Sequence, residues 1–432
     1  MLKRIKTEFS IMLDRLKHGV FQVFTANVLN KIIVMVSNMI ITRLLTKSDY
    51  GLWSYVLNIY SYASLITGIG LASGAFQFGA ENRGSKKEYG FFKYCLSVGL
   101  IINGLISAIF ICASFFMKHT IEGAGIYIQF YVPVILMEYT VEILSTVLRC
   151  DGRIKEFARV MNVNTFLVVA FTCIGALFGI HGVIIGKYIA AILSILYLLK
   201  LTKREIHLIR NGTKLSNSEK KDLWHYSLFT GLSSALNRVL YLIDVSMIAS
   251  LMQNAVDVAN YKVATLIPNS LGFIPTSVIL VIMPSIVANN KDFPWLRKNL
   301  KKTYMWLFLL NVFIGAILII FSPLIITIIS GEQYLDSVAP FRVLVLGYVI
   351  SGTFRSLSTN VLAGLRHVVF NLIISITSGV ADIILNYFLI SKIGMIGAAY
   401  ATLGVETLAS VISMSLIVYV LVKEKEAKRR AS

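Results

Sequence analysis

The first long apolar stretch of the chain contains a lysine at the depth where a membrane-spanning helix is farthest from water. In the run 19–45, polar side chains recur at helical spacing and share one face: Asn27, Lys31, Asn38 and Thr42. A charged side chain in hydrocarbon is costly, so a lysine at this position indicates function unless a partner neutralises it.

The run 223–251 has a matching pattern with an arginine. Arg238 lies beside a polar stripe at helical spacing, formed by Thr230, Ser234, Asn237, Tyr241 and Asp244. Two fixed cations that line a water-filled cleft would suit an anionic group. The candidate residues for binding it are Asn27, Lys31, Arg238, Tyr241 and, from the run 338–363, Arg355. The alternative is a structural ion pair, for example Arg238 with Asp244.

Oxygen-bearing side chains form a second group in the last two apolar runs. Asp382 and Asn386 are one helical turn apart, and so are Thr402 and Glu406. Carboxylate, amide and hydroxyl oxygens are hard ligands for a small cation. The predicted sodium or proton site consists of Asp244, Asp382, Asn386 and Thr402. The alternative is an interhelical hydrogen-bond network without an ion.

A third group of charges lies in the first half of the chain. Glu138 and Glu142 are one turn apart, and Arg149 continues the same stripe. This pattern fits either proton coupling or a structural pair at a helix end. Lys187 and Arg355 are further cations within apolar runs, and they are the next candidates for holding an anion.

Membrane-spanning helices must position these residues. Of the 432 residues, 56% are hydrophobic and only 15% are charged, against roughly 25% charged in soluble domains. Every backbone polar group in a bilayer needs an internal partner, so long apolar runs must be helices. About twelve such runs occur: 19–45, 50–79, 91–117, 125–149, 156–178, 182–201, 223–251, 258–288, 303–329, 338–363, 368–391 and 394–422. The sequence therefore predicts an all-α, polytopic membrane protein.

The distribution of lysine and arginine predicts the orientation. Most of the 41 such residues lie in the loops of one side, whereas the opposite side has Lys47, Lys118, Lys262 and Lys392. Cytoplasmic loops carry the excess of positive charge. We therefore expect both termini, a linker at 202–222 and a basic tail at 423–432 to be cytoplasmic.

The linker divides the chain into two predicted six-helix lobes, 1–201 and 223–422, around a central cavity. Short matches at an offset of about half the chain indicate an internal duplication. The matched pairs are LSTVL at 144–148 with LSTNVL at 357–362, GIHG at 179–182 with GMIG at 394–397, and DY at 49–50 with NY at 260–261. Because each half has an even number of helices, the repeat is predicted to be parallel.

The run 258–288 contains helix-breaking residues. Pro268, Gly272, Pro275 and Pro284 predict a bent or broken helix. Such a helix suits alternating access, although a passive kink would leave the same pattern.

Composition and loop lengths exclude several classes of function. The net charge of +19 would suggest nucleic acid in a soluble protein, but here the charges follow the positive-inside pattern, so no nucleic-acid partner is expected. The outward loops are short, which disfavours a membrane glycosyltransferase or polymerase. We expect no enzymatic activity and no cofactor beyond a coupling ion.

The sequence resembles the multidrug/oligosaccharidyl-lipid/polysaccharide exporter superfamily, in its polysaccharide flippase branch. The resemblance covers nearly the whole chain. Its most specific local features are LLTKSDYG at 44–51 and GMIGAAYAT at 394–402.

This resemblance implies a flippase that moves undecaprenyl-diphosphate-linked oligosaccharide across the bacterial cytoplasmic membrane. It implies a cationic cavity for the diphosphate, to which Lys31 and Arg238 correspond by location. A sodium site in the related lipid II flippases corresponds to Asp244, Asp382, Asn386 and Thr402. The expected partners are the lipid-linked substrate, membrane lipids and, as a candidate, the glycan polymerase machinery. The runner-up function is a cation-coupled drug or metabolite antiporter of the same fold.

Overall fold

A computed structural model describes residues 21–116, 121–289, 292–365 and 367–431, and all regular secondary structure in these ranges is helical. In the first half the helices are α1 (Phe21–Leu44), α2 (Lys47–Leu65), α3 (Leu71–Glu81), α4 (Lys86–Ser114), α5 (Ala124–Tyr131), α6 (Val134–Cys150), α7 (Ile154–Ala176), α8 (Gly179–Leu201) and α9 (Lys203–Arg210). In the second half they are α10 (Asn217–Met252), α11 (Ala255–Ser270), α12 (Phe273–Ala288), α13 (Phe293–Ile320), α14 (Ser322–Ser330), α15 (Val338–Ile350), α16 (Ser356–Gly364), α17 (Val368–Ile393) and α18 (Met395–Ala431).

Within these described ranges, nine helical segments are long and apolar enough to cross a membrane. They are Lys47–Glu81, Lys86–Ser114, Ala124–Cys150, Ile154–Ala176, Gly179–Leu201, Pro294–Ile320, Glu332–Gly364, Val369–Ile393 and Met395–Val422. The three other predicted runs are helical as well, in α1, in α10 and in the pair α11 and α12. The prediction of an all-α, polytopic membrane protein is confirmed.

The chain packs into two compact units that do not follow the sequence halves. The first unit comprises the described residues within 1–44, 66–112 and 129–233, and the second comprises those within 45–65, 113–128 and 234–432. Helix α2 therefore packs with the second unit, although it lies in the first half of the sequence. The lobes predicted at 1–201 and 223–422 and the cavity between them stay predictions.

A threonine N-cap begins helix α2. The Thr46 hydroxyl accepts the Asp49 backbone N–H at 3.1 Å and donates to the Asp49 carboxylate at 2.8 Å. Next to it, the Lys47 ammonium lies 2.8 Å from the carboxylate of Asp336, also in the second unit. A Cβ on Gly51 would lie 1.7 Å from the carbonyl oxygen of Ala255, so glycine permits the close approach of α2 to α11. The conspicuous LLTKSDYG motif is thus a helix start and a helix contact.

Helix α2 ends at a backbone irregularity, after which α3 continues in the first unit. Gly68, Ile69 and Gly70 have φ values of 52°, 48° and 77°. Such values are costly for a β-branched residue such as Ile69. The Asn103 side-chain oxygen accepts the Gly68 backbone N–H at 3.0 Å, which helps to hold this conformation.

The predicted break in the run 258–288 is confirmed. The run forms two helices, α11 and α12, that are separated by Leu271 and Gly272. Pro268 lies inside the last turn of α11, where its missing N–H weakens the helix.

Candidate functional site

The side chain of Asp244, on helix α10, accepts hydrogen bonds from three other helices. The Tyr261 hydroxyl of α11 donates to Oδ2 at 2.5 Å. The Thr402 hydroxyl of α18 donates to the same oxygen at 2.9 Å. From α17, the Asn386 amide nitrogen donates to Oδ1 at 2.9 Å. One carboxylate therefore joins four helices of the second unit.

A second carboxylate lies beside this hub. Asp382 is 5% exposed, and its Oδ1 accepts the amide nitrogen of Asn386 at 3.0 Å. The spacing of four residues on α17 places both side chains on one face. The Asn386 amide thus donates to Asp382 and to Asp244 at once, which holds the two carboxylates close together.

An ion pair borders the same cluster. The Arg355 guanidinium lies 2.8 Å from the carboxylate of Glu406 on α18. Arg355 ends a single π-helical turn, Ser351–Arg355, between α15 and α16. Such turns shift the side chains after them around the helix axis and are frequent at functional sites. Glu406 lies one turn beyond Thr402, so α18 supplies two members of the site from one face.

These residues enclose a cavity of about 100 Å³ within the second unit. Its charged lining consists of Asp244, Lys262, Arg355, Asp382 and Glu406, and its polar lining consists of Tyr261, Thr265, Asn269, Ser378 and Thr402. A volume of this size holds several water molecules. Three carboxylates face two cations here, so the cavity favours a further positive charge, such as a proton or a metal cation.

Three buried oxygens of this region have no hydrogen-bond partner among the described residues. They are Asn386 Oδ1, Glu406 Oε2 and Ser378 Oγ. A buried polar atom without a partner is destabilising, so water or an ion is the expected partner. The donor set therefore fits a small hard cation, which Asp244, Asp382 and Thr402 would hold. Asn386 would join them only by turning its amide oxygen toward the two carboxylates, to which its nitrogen now donates.

No group of three or more His, Cys, Asp or Glu side chains in the described ranges is arranged to hold a metal ion by itself. Transition-metal centres draw mainly on such groups. Hard cations also bind neutral oxygens, and these make up half of the predicted ligand set.

The structure brings the four predicted cation-site residues together, whereas most predicted anion-binding residues cannot be placed. The side chains of Asn27, Lys31, Arg238 and Tyr241 lie outside the described part of the structure. Arg355 lines the cavity and pairs with Glu406. A role for Arg355 in anion binding stays a prediction, and it would require exchange of this partner.

The charges of the first half are paired differently from the prediction. The Lys187 ammonium lies 2.6 Å from the carboxylate of Glu138, between α8 and α6. The Arg149 guanidinium lies over the ring of Phe76, 3.8 Å from its centroid. Glu138 of this stripe therefore has a cationic partner on another helix.

Sequence reasoning missed Tyr261 and Lys262, and also the polar lining residues Thr265, Asn269 and Ser378. Tyr261 donates to Asp244, yet it was noted only for its match to the first half. Lys262 was counted only among the charges of the outward side, yet it lies inside α11 and lines the cavity. A polar and charged triplet, Asn260 to Lys262, at the start of a broken span was the signal that could have found both.

Comparison with known proteins places this geometry in a family. The family model described as "Polysaccharide biosynthesis protein" matches residues 16–289, more than half of the chain. A Shigella flexneri protein named "Putative O-antigen transporter" is 24% identical over 215 residues, which is 50% of this chain and 50% of that protein. The chain thus spans about half the length of the curated relative that it matches.

Solved structures share the fold over nearly the whole chain. The lipid II flippase MurJ in an inward closed conformation has a TM-score of 0.74 and 15% identity, covering 93% of this chain and 89% of that one. An inward-facing multidrug resistance MATE transporter of the MOP superfamily has a TM-score of 0.69 and 16% identity, covering 92% and 96%. Identity this low supports the fold alone. The family model, by contrast, matches the sequence of more than half of the chain. The chain therefore belongs to the polysaccharide biosynthesis protein family.

Proposed function

We propose that this protein translocates an undecaprenyl-diphosphate-linked oligosaccharide across the bacterial cytoplasmic membrane. The observation that carries the proposal is the family match over residues 16–289. The relative named as an O-antigen transporter and the fold shared with a lipid II flippase point to the same class of cargo. The relatives found are transporters, which supports a function without bond-making chemistry.

The head group of such a lipid explains why cations are needed inside the membrane. A diphosphate carries about two negative charges and cannot cross hydrocarbon unaided. Lys31 and Arg238 would offset its lost hydration, and an arginine can bind it through two hydrogen bonds. The lipid tail would remain in the bilayer while the head group passes between the halves. The broken α11–α12 segment would allow the halves to rock in alternating access.

The carboxylate cavity of the second unit would supply the driving force. Asp244 and Asp382 are close enough to share one positive charge, either a proton or a sodium ion. Binding that charge would change which hydrogen bonds Asn386 and Thr402 make, on two different helices. Coupling through this site would make head-group translocation depend on an ion gradient.

The orientation follows from the distribution of charge. We propose that both termini, the linker at 202–222 and the tail at 423–432 are cytoplasmic. A glycan polymerase on the outer side is the proposed partner that consumes the product. Cysteine labelling of position 213 by an impermeant reagent in intact cells would contradict this orientation.

Reconstituted vesicles test the proposed function directly. Fluorescent undecaprenyl-diphosphate oligosaccharide would be scored for exposure to an impermeant sugar-modifying reagent. The wild-type protein should move the lipid, and the Lys31→Ala, Arg238→Ala double variant should not, although it inserts normally. Lys392→Ala, which removes an exposed lysine at the end of α17, is the control and should retain transport. Full transport by the double variant would show that the diphosphate is held elsewhere.

A cation-coupled antiporter of drugs or metabolites is the second candidate. The excess of carboxylates in the cavity favours it, because such a site attracts organic cations. An antiporter would exchange a labelled organic cation for protons or sodium in the same vesicles. The result would be opposite for a flippase, with lipid movement and no uptake of organic cation.

A further inference from the structure

A second cavity of the second unit opens between helices α13 and α18. It has a volume of about 390 Å³, which is within the range of ligand pockets. Its lining is shared by α13, the π-helical turn at 351–355 and α18, and most of it is apolar: Leu300, Met305, Phe308, Phe354, Ile417 and Leu421. We refer to this cavity as the α13–α18 groove.

Aromatic rings form a fixed wall of the groove. The ring centroids of Tyr304 and Phe354 are 6.3 Å apart, and those of Phe308 and Phe354 are 6.0 Å apart. The Tyr304 hydroxyl is 2.8 Å from the Ser358 hydroxyl, which fixes the tyrosine ring. On the other side, Met414 offers a flexible and polarisable surface. Such walls suit a flexible hydrocarbon chain of variable shape.

The surroundings of the groove are lipid rather than water. Large apolar side chains on both flanking helices are exposed, including Trp306 at 64%, Phe313 at 65% and Val418 at 58%. A contiguous apolar surface on a membrane-spanning segment faces the hydrocarbon. A groove that opens onto this surface must be filled by lipid chains.

The length and the charged end of the groove match one leaflet. Along α13 the lining runs from Arg297 to Phe308, which at 1.5 Å per residue is about 16 Å. The hydrocarbon core of one leaflet is about 15 Å thick. Arg297 and Lys301 line the groove at one end only. This end is the start of α13, where Arg297, Lys298, Lys301 and Lys302 form a cationic segment on the proposed cytoplasmic side, at the level of the lipid head groups.

We infer that the α13–α18 groove binds an anionic phospholipid of the cytoplasmic leaflet. Arg297 and Lys301 would hold its phosphate, and an acyl chain would occupy the apolar groove. Among the described side chains neither cation has an ion-pair partner, so both are available to a phosphate. Cationic pockets between membrane helices on the cytoplasmic side bind anionic head groups in this way. A zwitterionic lipid would gain less, because its own ammonium opposes the two cations.

The site can be tested by photo-crosslinking in vesicles. The full-length protein would be reconstituted in phosphatidylcholine with phosphatidylglycerol that carries a photoreactive acyl chain, and crosslinked peptides would be identified by mass spectrometry. We expect crosslinks at Met305, Met414 or Ile417. In the Arg297→Gln, Lys301→Gln variant these crosslinks should require about thirtyfold more phosphatidylglycerol.

A matched control separates a site from general surface charge. Lys298→Gln, Lys302→Gln removes the same charge from the same turns of α13, but these lysines do not line the groove. It should leave the crosslinking within about threefold of wild type. Equal losses in the two double variants would overturn the inference, because attraction would then depend on charge alone.

Two further experiments bear on the occupant. Ile417→Trp should fill the groove and abolish crosslinks to the acyl chain while both cations remain. Competition by unlabelled phosphatidylglycerol, but not by phosphatidylcholine, would support the inference. Stronger displacement by a polyprenyl phosphate than by phosphatidylglycerol would overturn it in favour of the carrier lipid, and crosslinks elsewhere in the protein would also overturn it.

Discussion

Each unit contains an ion pair between helices that the predicted internal repeat relates, but the charges are exchanged. The matched segments at 144–148 and 357–362 relate α6 to the helix that carries Arg355, and those at 179–182 and 394–397 relate α8 to α18. In the first unit the acid is Glu138 on α6 and the base is Lys187 on α8. In the second unit the base, Arg355, precedes the acid, Glu406, on α18.

The surroundings of the two pairs differ more than the pairs themselves. At the same offset that separates GIHG at 179–182 from GMIG at 394–397, Lys187 corresponds to Thr402. The first unit thus has a covalently attached ammonium where the second has a hydroxyl that donates to Asp244. Asp382 adds a further carboxylate beside it. In the first unit the covalently attached ammonium of Lys187 balances the charge of its carboxylate partner. In the second unit the carboxylates that line the cavity outnumber the cations, so this site can bind an exchangeable cation.

The strongest test of this difference removes one carboxylate from each unit. Asp244→Asn should abolish the dependence of transport on a sodium or proton gradient, because it removes the acceptor that joins four helices. Loss of even an outer-sphere partner costs about 10–100-fold in metal affinity, so loss of a ligand should cost at least about 100-fold. Transport in vesicles under each gradient is the measurement.

Glu138→Gln is the matched control in the first unit. Its carboxylate is paired with Lys187 and is 41% exposed, so gradient dependence should be unchanged. If Glu138→Gln alone abolished coupling while Asp244→Asn did not, the assignment of the exchangeable cation to the second unit would be reversed.

The ion pairs themselves give a smaller contrast. Arg355→Gln leaves Glu406 uncompensated in a low-dielectric cavity beside two other carboxylates, which should destabilise the protein by about 3 kcal/mol. Adding Glu406→Gln should recover most of this loss. In the first unit Glu138 is 41% exposed rather than buried, so Lys187→Gln should cost less than Arg355→Gln. Thermal unfolding in detergent measures both, and equal shifts would contradict the comparison.

Packing rather than charge distinguishes the first unit. The buried Tyr139 donates to the Cys95 carbonyl at 2.7 Å and packs against Gly99 of α4, where a Cβ would lie 2.0 Å from the tyrosine oxygen. Gly99→Ala should therefore destabilise the protein by about 1–3 kcal/mol through overpacking. Gly104→Ala on the same helix has no atom within 4 Å of the new Cβ and should be neutral or slightly stabilising. Thermal unfolding of the two variants provides the test.

Part of the site was predictable because its residues repeat at helical spacing. Asp382 with Asn386, and Thr402 with Glu406, are separated by four residues within long apolar runs, where polar groups need partners. A spacing of four residues places both side chains on one helix face, wherever the helix begins or ends. Asp244 followed from the same reasoning on α10, and the structure joins it directly to Asn386 and Thr402.

Other features depend on packing that one sequence does not encode locally. Lys262 was counted only by its side of the membrane, because one sequence does not show which helices pack around a cation near the start of a span. The packing of α2 with the second unit rests on a backbone contact between Gly51 and Ala255, far apart in the chain. The α13–α18 groove is lined by three separate segments whose individual patterns are ordinary apolar faces.

The smallest expected effect concerns an ion pair outside the membrane, in the first unit. Ser216 and Glu219 form a capping box that begins α10: the Glu219 carboxylate accepts the Ser216 N–H at 2.8 Å, and the Ser216 hydroxyl accepts the Glu219 N–H at 3.2 Å. The Lys87 ammonium also lies 2.8 Å from this carboxylate. The ion pair first, and then the cap, lower the pKa of Glu219 to about 2.

A lowered pKa fixes the direction of the pH effect. An unperturbed glutamate titrates near pH ~4.3, so the stabilisation is fully present above that pH and is lost as the pH falls toward about 2. Because water screens an exposed pair, its contribution should be about 1 kcal/mol or less. Glu219→Gln should therefore lower the unfolding temperature slightly at neutral pH, and this difference from wild type should shrink to nothing in acid. Lys87→Gln should show a weaker form of the same trend, since the cap remains. A difference that grew as the pH fell would show that Glu219 is not held as a carboxylate, and the contrast between exposed and membrane-embedded pairs would then need another basis.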